Sequence, residues 1–160
     1  MPVFKQYTEN SYRWGIWKTS ESLEEMLALL PHKGKYEEGI GKFAAGSRRL
    51  EWLAVRVLLY TMFGEEKEIR YYSNGKPYLA DGSFSISISH TKGCVAVLLG
   101  DPKKEVGIDI EYYSGRVRKV AHKFMRADEQ ESLFRGTETW ALLLHWSAKE
   151  TMFTCMNASD

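Results

Sequence analysis

The stretch FSISISH, Phe84 to His90, alternates without a break. Successive side chains of a β-strand point to opposite faces, so Ser85, Ser87 and Ser89 share one side and Phe84, Ile86 and Ile88 the other. This pattern commits the middle of the chain to a half-buried strand. His90 ends the run and falls on the isoleucine side if the strand continues. Taken alone, that position favours a satisfied core histidine. The other reading is that the strand stops and the ring turns into a cleft. CVAVLLG, Cys94 to Gly100, reads as a buried strand, and EVGIDIE, Glu105 to Glu111, as another.

Other segments follow from local signals. YRWGIW, Tyr12 to Trp17, reads as the first strand. In SESLEEMLALL, Ser22 and Glu25 fit a capping box, and Leu23, Met26, Leu27 and Leu30 repeat at helical spacing. Pro31 and Gly34 are expected to close that helix. A second helix is predicted over Ala44–Phe63, with Leu50, Leu53, Ala54, Val57, Leu58 and Met62 as its buried stripe. Arg49, Trp52 and Arg56 share another face, and Arg48 lies one step around. A solvated helix face explains these arginines as well as a binding role does. IRYYSNGKPYLA reads as two short strands about an Asn74–Gly75 turn. SGRVRKVAHKFMRADEQESLF is predicted helical. TETWALLLHWSAKETMFTCM is predicted as a long helix capped by Thr137 or Thr139. The order gives an α+β fold with a largely antiparallel sheet.

At 160 residues the chain suits one compact domain or two small lobes. A net charge of +1 gives no electrostatic case for bulk nucleic-acid binding. No apolar run approaches a membrane span, and the start lacks a signal-peptide layout. The only cysteines, Cys94 and Cys155, form no zinc-type spacing and fit a reducing compartment. A cytoplasmic protein is expected.

Residues with chemical potential cluster late. In a strand, Asp109 and Glu111 project from the same side, while Val106, Ile108 and Ile110 face the core. Two carboxylates so placed can converge on a hard cation such as magnesium, which keeps waters and adds phosphate oxygens. A bare Asp-x-Glu pattern favours instead an amphipathic strand with its acids in water. Downstream, Trp146 and Glu150 are i, i+4 neighbours with Lys149 beside them; a Lys-Glu pair on a helix is usually a surface element. Ser89-His90 is not a hydrolase pair by itself, and no G-x-S-x-G elbow is present.

Together, SRRLEWLAVRVLL, NGKPYL, SISISH, VGIDIE, KFMRADE and WSAKE occur in an order that resembles the 4′-phosphopantetheinyl transferase superfamily. The long, pseudo-dimeric branch that activates polyketide, fatty-acid and nonribosomal-peptide carrier proteins is the nearer resemblance. The resemblance implies two related α+β lobes, residues 1–100 and 101–160, divided near GDPKK (Gly100–Lys104), with the second lobe short of the family's usual strands. It implies Mg²⁺-dependent transfer of phosphopantetheine from coenzyme A to a serine of an acyl or peptidyl carrier protein, with release of 3′,5′-ADP. Asp109, Glu111 and Glu150 are implied as Mg²⁺ ligands. Glu150 is implied as the proton acceptor and Lys149 as a pyrophosphate contact. Arg48 or Arg49, Arg56, Ser89 and His90 are placed at the coenzyme, Lys76 near its nucleotide and Glu129 near the site. The family's second helix lysine is replaced by Thr154; one such cation can be worth about 2.7–4 kcal/mol in the transition state. The alternatives are a non-catalytic relative that binds coenzyme A or a carrier protein, and, less favoured, a Mg²⁺-dependent phosphohydrolase.

Overall fold

A computed structural model describes residues 3–129 and 133–156. Its main sheet has four antiparallel strands in the order β1-β2-β6-β5. β1 (Val3–Glu9) and β2 (Tyr12–Lys18) form a hairpin, with Asn10 at φ 51° in the turn. The predicted first strand is therefore the second. β1 lies at the sheet edge, and residues 5–9 are exposed along its length, so burial left no alternating pattern to read.

β5 (Ser85–Thr91) pairs with β6 (Cys94–Gly100), placing Ile86, Ile88 and His90 opposite Leu99, Val97 and Val95. This side of the sheet packs on α3 (Gly46–Phe63). Leu53, Ala54, Val57, Leu58 and Met62 are all buried there, close to the expected stripe. The main core is formed by α3, this sheet face, Trp17, Met26 and Leu30.

The capping box at Ser22 is present: Glu25 N–H donates to Ser22 Oγ (3.2 Å), and Ser22 N–H to the Glu25 carboxylate (2.8 Å). α1 (Leu23–Ala28) stops before Pro31, as expected. Gly34 does not close it. Gly34 belongs instead to α2 (Lys33–Gly41), a helix whose glycines and weak amphipathicity hide it in the sequence. Buried Tyr36 and Ile40 hold α2 against the core.

β3 (Ile69–Tyr71) and β4 (Pro77–Leu79) make a separate two-stranded ribbon. Its loop is longer than the Asn74–Gly75 dipeptide. Gly75 N–H donates to Tyr72 O and Tyr72 N–H to Lys76 O (2.9 Å each). Only Gly75 in the loop adopts positive φ, at 85°. This is a turn closed by a left-handed glycine, so a mirror-image two-residue turn is not needed.

EVGIDIE is not a ladder strand. Residues 105–110 lie beside β5 without regular pairing, because serine hydroxyls take the place of backbone carbonyls. Ile108 N–H donates to Ser87 Oγ (3.1 Å), and Ile110 N–H to Ser89 Oγ (3.2 Å). Val106 is buried; Ile108 and Ile110 are only half-buried.

α4 (Arg116–Phe124) is shorter than predicted. Met125 turns extended at its end, and part of the expected remainder falls on residues 130–132, outside the described residues. α5 (Glu138–Met156) starts at Thr137, whose Oγ1 accepts from Trp140 N–H (3.3 Å). Val117, Leu142 and Leu143 form a second, smaller core, joined by Phe124, Trp140 and Trp146. Among the described residues, no helix is long and apolar enough to cross a membrane. The architecture is α+β with a mainly antiparallel sheet.

Candidate functional site

The two faces of β5 organise the site. On the serine face, Ser89 Oγ donates to Asp109 Oδ1 (3.2 Å) while accepting from Ile110 N–H. Asp109 is thus pinned to the strand by the same hydroxyl that holds the backbone N–H of the next residue, Ile110. The segment then passes against α5 at Gly107. A Cβ there would lie 2.6 Å from both Thr151 O and Cys155 Sγ, so only glycine permits this approach.

The close approach brings Asp109 and Glu111 toward Glu150. Burial raises the Glu150 pKa most, and the charges of Asp109 and Glu111 raise it further. Trp146 Nε1–H donates to Glu111 Oε1 (3.0 Å), fixing that acid from α5. Asp109 Oδ2 is buried and has no hydrogen-bond partner among the described residues. An unpaired buried carboxylate oxygen facing other acids is costly. A hard cation would satisfy it, so the donor set fits Mg²⁺. Among the described residues, no three acidic, histidine or cysteine side chains are already assembled as a metal cage. An open set is compatible with an ion that takes one or two carboxylates plus phosphate oxygens and water.

The opposite face of β5 ends in a cleft of about 490 Å³ between α3 and the β3–β4 ribbon. Arg56 forms its floor at 8% exposure. Its Cζ lies 3.4 Å from the Trp52 ring centroid, and Nη1–H donates to Trp52 O (2.8 Å). Burial lowers the Arg56 pKa, opposed by Tyr71 and Tyr36; an arginine so held remains charged. The arginine face of α3 is therefore not simply solvated.

At the mouth, Arg48 Nη1–H donates to His90 Nε2 (2.8 Å). His90 is not a core histidine, since its side chain is 42% exposed. The strand continues through it, but the polar first turn of α3 lies opposite rather than an apolar one. The remaining coenzyme candidates lie outside this cleft. Arg49 Nε–H donates to Phe43 O (2.6 Å) and anchors the chain before α3. Lys76 pairs with Glu105 in a neighbouring pocket of about 350 Å³, joined to the first by Pro77.

Lys149 donates to Phe124 O and to the Glu129 carboxylate (2.5 Å each). Lys149 and the Arg126 backbone N–H together lower the Glu129 pKa. Lys149 thereby ties the end of α4 to α5. Thr154 Oγ1–H donates to Thr151 O (2.8 Å), within its own helix. Among the charged and hydroxyl-bearing residues of the cleft, Glu51, whose i, i+3 relation to Arg48 was visible, and Tyr71, which carried no signal, escaped the functional reading of the sequence.

Residues 105–157 match the family model described as the 4′-phosphopantetheinyl transferase superfamily. The chain is 30% identical over 167 aligned positions to the mouse L-aminoadipate-semialdehyde dehydrogenase-phosphopantetheinyl transferase. That alignment covers 87% of this chain and 53% of the mouse protein, so the chain spans about half that relative's length. It is 40% identical over 73 positions to the 4′-phosphopantetheinyl transferase AcpT of Salmonella typhi, covering 45% of this chain and 38% of that protein. A phosphopantetheinyl transferase of Thraustochytrium sp. is 38% identical over 86 positions, covering 48% of this chain and 30% of that relative. The matched region holds the three acids and α5, and the mouse alignment extends over the α3–β5 cleft as well, so both halves of the site lie where the chain is similar to 4′-phosphopantetheinyl transferases.

Proposed function

We propose that the chain transfers 4′-phosphopantetheine from coenzyme A to a serine of an acyl or peptidyl carrier protein, as a member of the long, pseudo-dimeric branch. The observation that carries this reading is the division of labour across β5. Ser89 holds Asp109 beside Glu111 and Glu150 on one face, while His90 meets Arg48 above Arg56 on the other. A ligand with a diphosphate and a nucleotide needs both.

In the proposed reaction the serine oxygen bonds to the β-phosphorus of coenzyme A. The bond from that phosphorus to the bridging oxygen breaks, and 3′,5′-ADP leaves with the electron pair. Glu150 takes the serine proton, directly or through a water. Asp109, Glu111 and Glu150 would hold Mg²⁺, which supplies charge neutralisation at the diphosphate. Arg48, Arg56 and His90 orient the coenzyme, with Lys76 toward its nucleotide. Lys149 serves the pyrophosphate only by sharing its present ties to Glu129 and Phe124 O.

Beside Glu111 lies a second cleft of about 350 Å³, lined by Lys92, Arg116, Val117, Leu143 and Trp146. Its mix of apolar and basic lining suits an acidic carrier protein, as does the basic run of α4 that continues with Arg118, Lys119 and Lys123. The proposed division into lobes 1–100 and 101–160 draws support from the two separate cores, and the free cysteines fit a cytoplasmic setting.

Incubation of a carrier protein with coenzyme A, Mg²⁺ and this chain is expected to add one phosphopantetheine, read by mass spectrometry. The gain should vanish in Glu150→Ala. One observation favours a second reading, a binder without activity: the position of the expected lysine presents only the Thr154 hydroxyl, turned back on its helix. No mass gain with coenzyme A still bound would establish that reading instead.

A further inference from the structure

The Arg48–His90 pair at the cleft mouth already faces an anion. Glu51 lies one turn along α3 from Arg48. Its Oε2 is 3.2 Å from Arg48 Nη1 and 3.4 Å from His90 Nδ1. The Glu51 side chain is 20% exposed, against 57% for Arg48 and 42% for His90, so the carboxylate sits behind its partners. A guanidinium only donates, so His90 Nε2, 2.8 Å from Arg48 Nη1, is the acceptor. That assigns the ring hydrogen to Nδ1, on the side of Glu51. The three side chains close a triangle in which the acid faces the Arg48 guanidinium and the Nδ1–H edge of His90.

A phosphate approaching this pair competes with Glu51 for the same donors. A phosphomonoester carries about −1.5 to −2 charge at neutral pH. A carboxylate fixed at its binding groups repels it, since like charges placed together at an interface oppose binding.

We propose that Glu51 sets the ligand selectivity of the cleft, weakening binding of any ligand that brings a terminal phosphomonoester to Arg48 and His90. The inference rests on the coenzyme A reading above. Coenzyme A carries a diphosphate and a separate 3′-phosphomonoester. The diphosphate is needed beside Asp109 and Glu150, on the serine face of β5. Arg48 and His90 lie on the other face, which leaves them the phosphomonoester. Arg56 stacks on Trp52 below and takes no part in the triangle. This chain therefore discriminates between coenzyme A and 3′-dephospho-coenzyme A less than the same cleft with a neutral residue at position 51.

Isothermal titration of both ligands into the wild-type chain, Glu51→Gln and Glu51→Ala tests this, with circular dichroism confirming the fold. Glutamine keeps the shape and can still accept from Arg48. Both substitutions are expected to tighten coenzyme A binding about tenfold or more, with little change for the dephospho form. Equal gains for both ligands would put the diphosphate at this pair and overturn the proposal. Equal losses would make Glu51 a mere tether and overturn it as well. So would a wild-type preference for coenzyme A over its dephospho form beyond about a hundredfold, a result that needs no variant. Binding of both ligands with an unchanged ratio sinks only the role of Glu51. No binding of either ligand to any folded protein sinks the coenzyme reading and this proposal with it.

Discussion

Asp109 is where the local energetics and the proposed function pull in opposite directions. One carboxylate oxygen accepts from Ser89, and the other is buried without a partner among the described residues. Its charge also helps to hold the Glu150 pKa up. Without a cation, this arrangement lowers stability, as sites built for a ligand often do. Asp109→Asn keeps the shape and the Ser89 acceptor while removing one charge. In a chelator it is expected to raise stability by about 1 kcal/mol, seen as a higher melting temperature. Added Mg²⁺ should raise the melting temperature of the wild type and leave Asp109→Asn unmoved. An unchanged or lower melting temperature for the variant in chelator would mean that Asp109 is not strained by its neighbours. Glu51 shows the same conflict across β5, where an acid occupies donors that a phosphate would use. Neither conflict could be read from residue type alone, because the cost of a carboxylate depends on which atoms stand beside it.

Individual elements were legible to different depths. FSISISH yielded both its strand and its two faces, because strict alternation separates the sides of a strand; that the serine side is covered as well, with Ser87 as buried as Ile86, it did not show. EVGIDIE carries the same period of two yet forms no ladder. Its backbone N–H groups are taken by Ser87 and Ser89, a partnership between segments that periodicity cannot report. β1 and α2 escaped for a different reason. One is an exposed edge, and the other is held by tertiary packing of Tyr36 and Ile40 rather than by its own pattern. Gly107 controls how the EVGIDIE segment meets α5. Gly107→Ala would drive a methyl into Thr151 O and Cys155 Sγ, and the backbone carbonyl cannot swing away as a side chain could. The substitution is expected to cost about 1–3 kcal/mol in urea unfolding. It should also shrink the Mg²⁺-induced rise in melting temperature by separating Asp109 from Glu150. Loss of stability with the full Mg²⁺ response retained would show that the close approach serves packing alone.

At the scale of the whole molecule, the site is divided between two cores. The cleft belongs to α3, β5 and the β3–β4 ribbon; Glu150 and Trp146 belong to α5, packed on α4. The 105–111 segment is the bridge, latched to β5 by serines and pressed on α5 at Gly107. The sequence made the ordered set of motifs visible. It could not show that the motifs lie on opposite faces of one strand, because that follows from the path of the segment after Gly100. This division predicts thermodynamic coupling. If one coenzyme molecule spans both faces, its diphosphate adds oxygen ligands for the cation, and the cation screens the three acids from the diphosphate. Mg²⁺ should then bind about tenfold or more tightly to the coenzyme-saturated protein than to the free protein, and coenzyme A should gain the same factor from Mg²⁺. Titration calorimetry in both orders, corrected for Mg²⁺ binding to free coenzyme A, measures the two factors. Arg48→Ala is expected to weaken coenzyme A binding while leaving the Mg²⁺ affinity of the free protein unchanged. Glu150→Ala should abolish the coupling but preserve coenzyme binding in chelator. Independent binding of the two ligands would place the coenzyme wholly within the α3 cleft and separate that cleft from the acids.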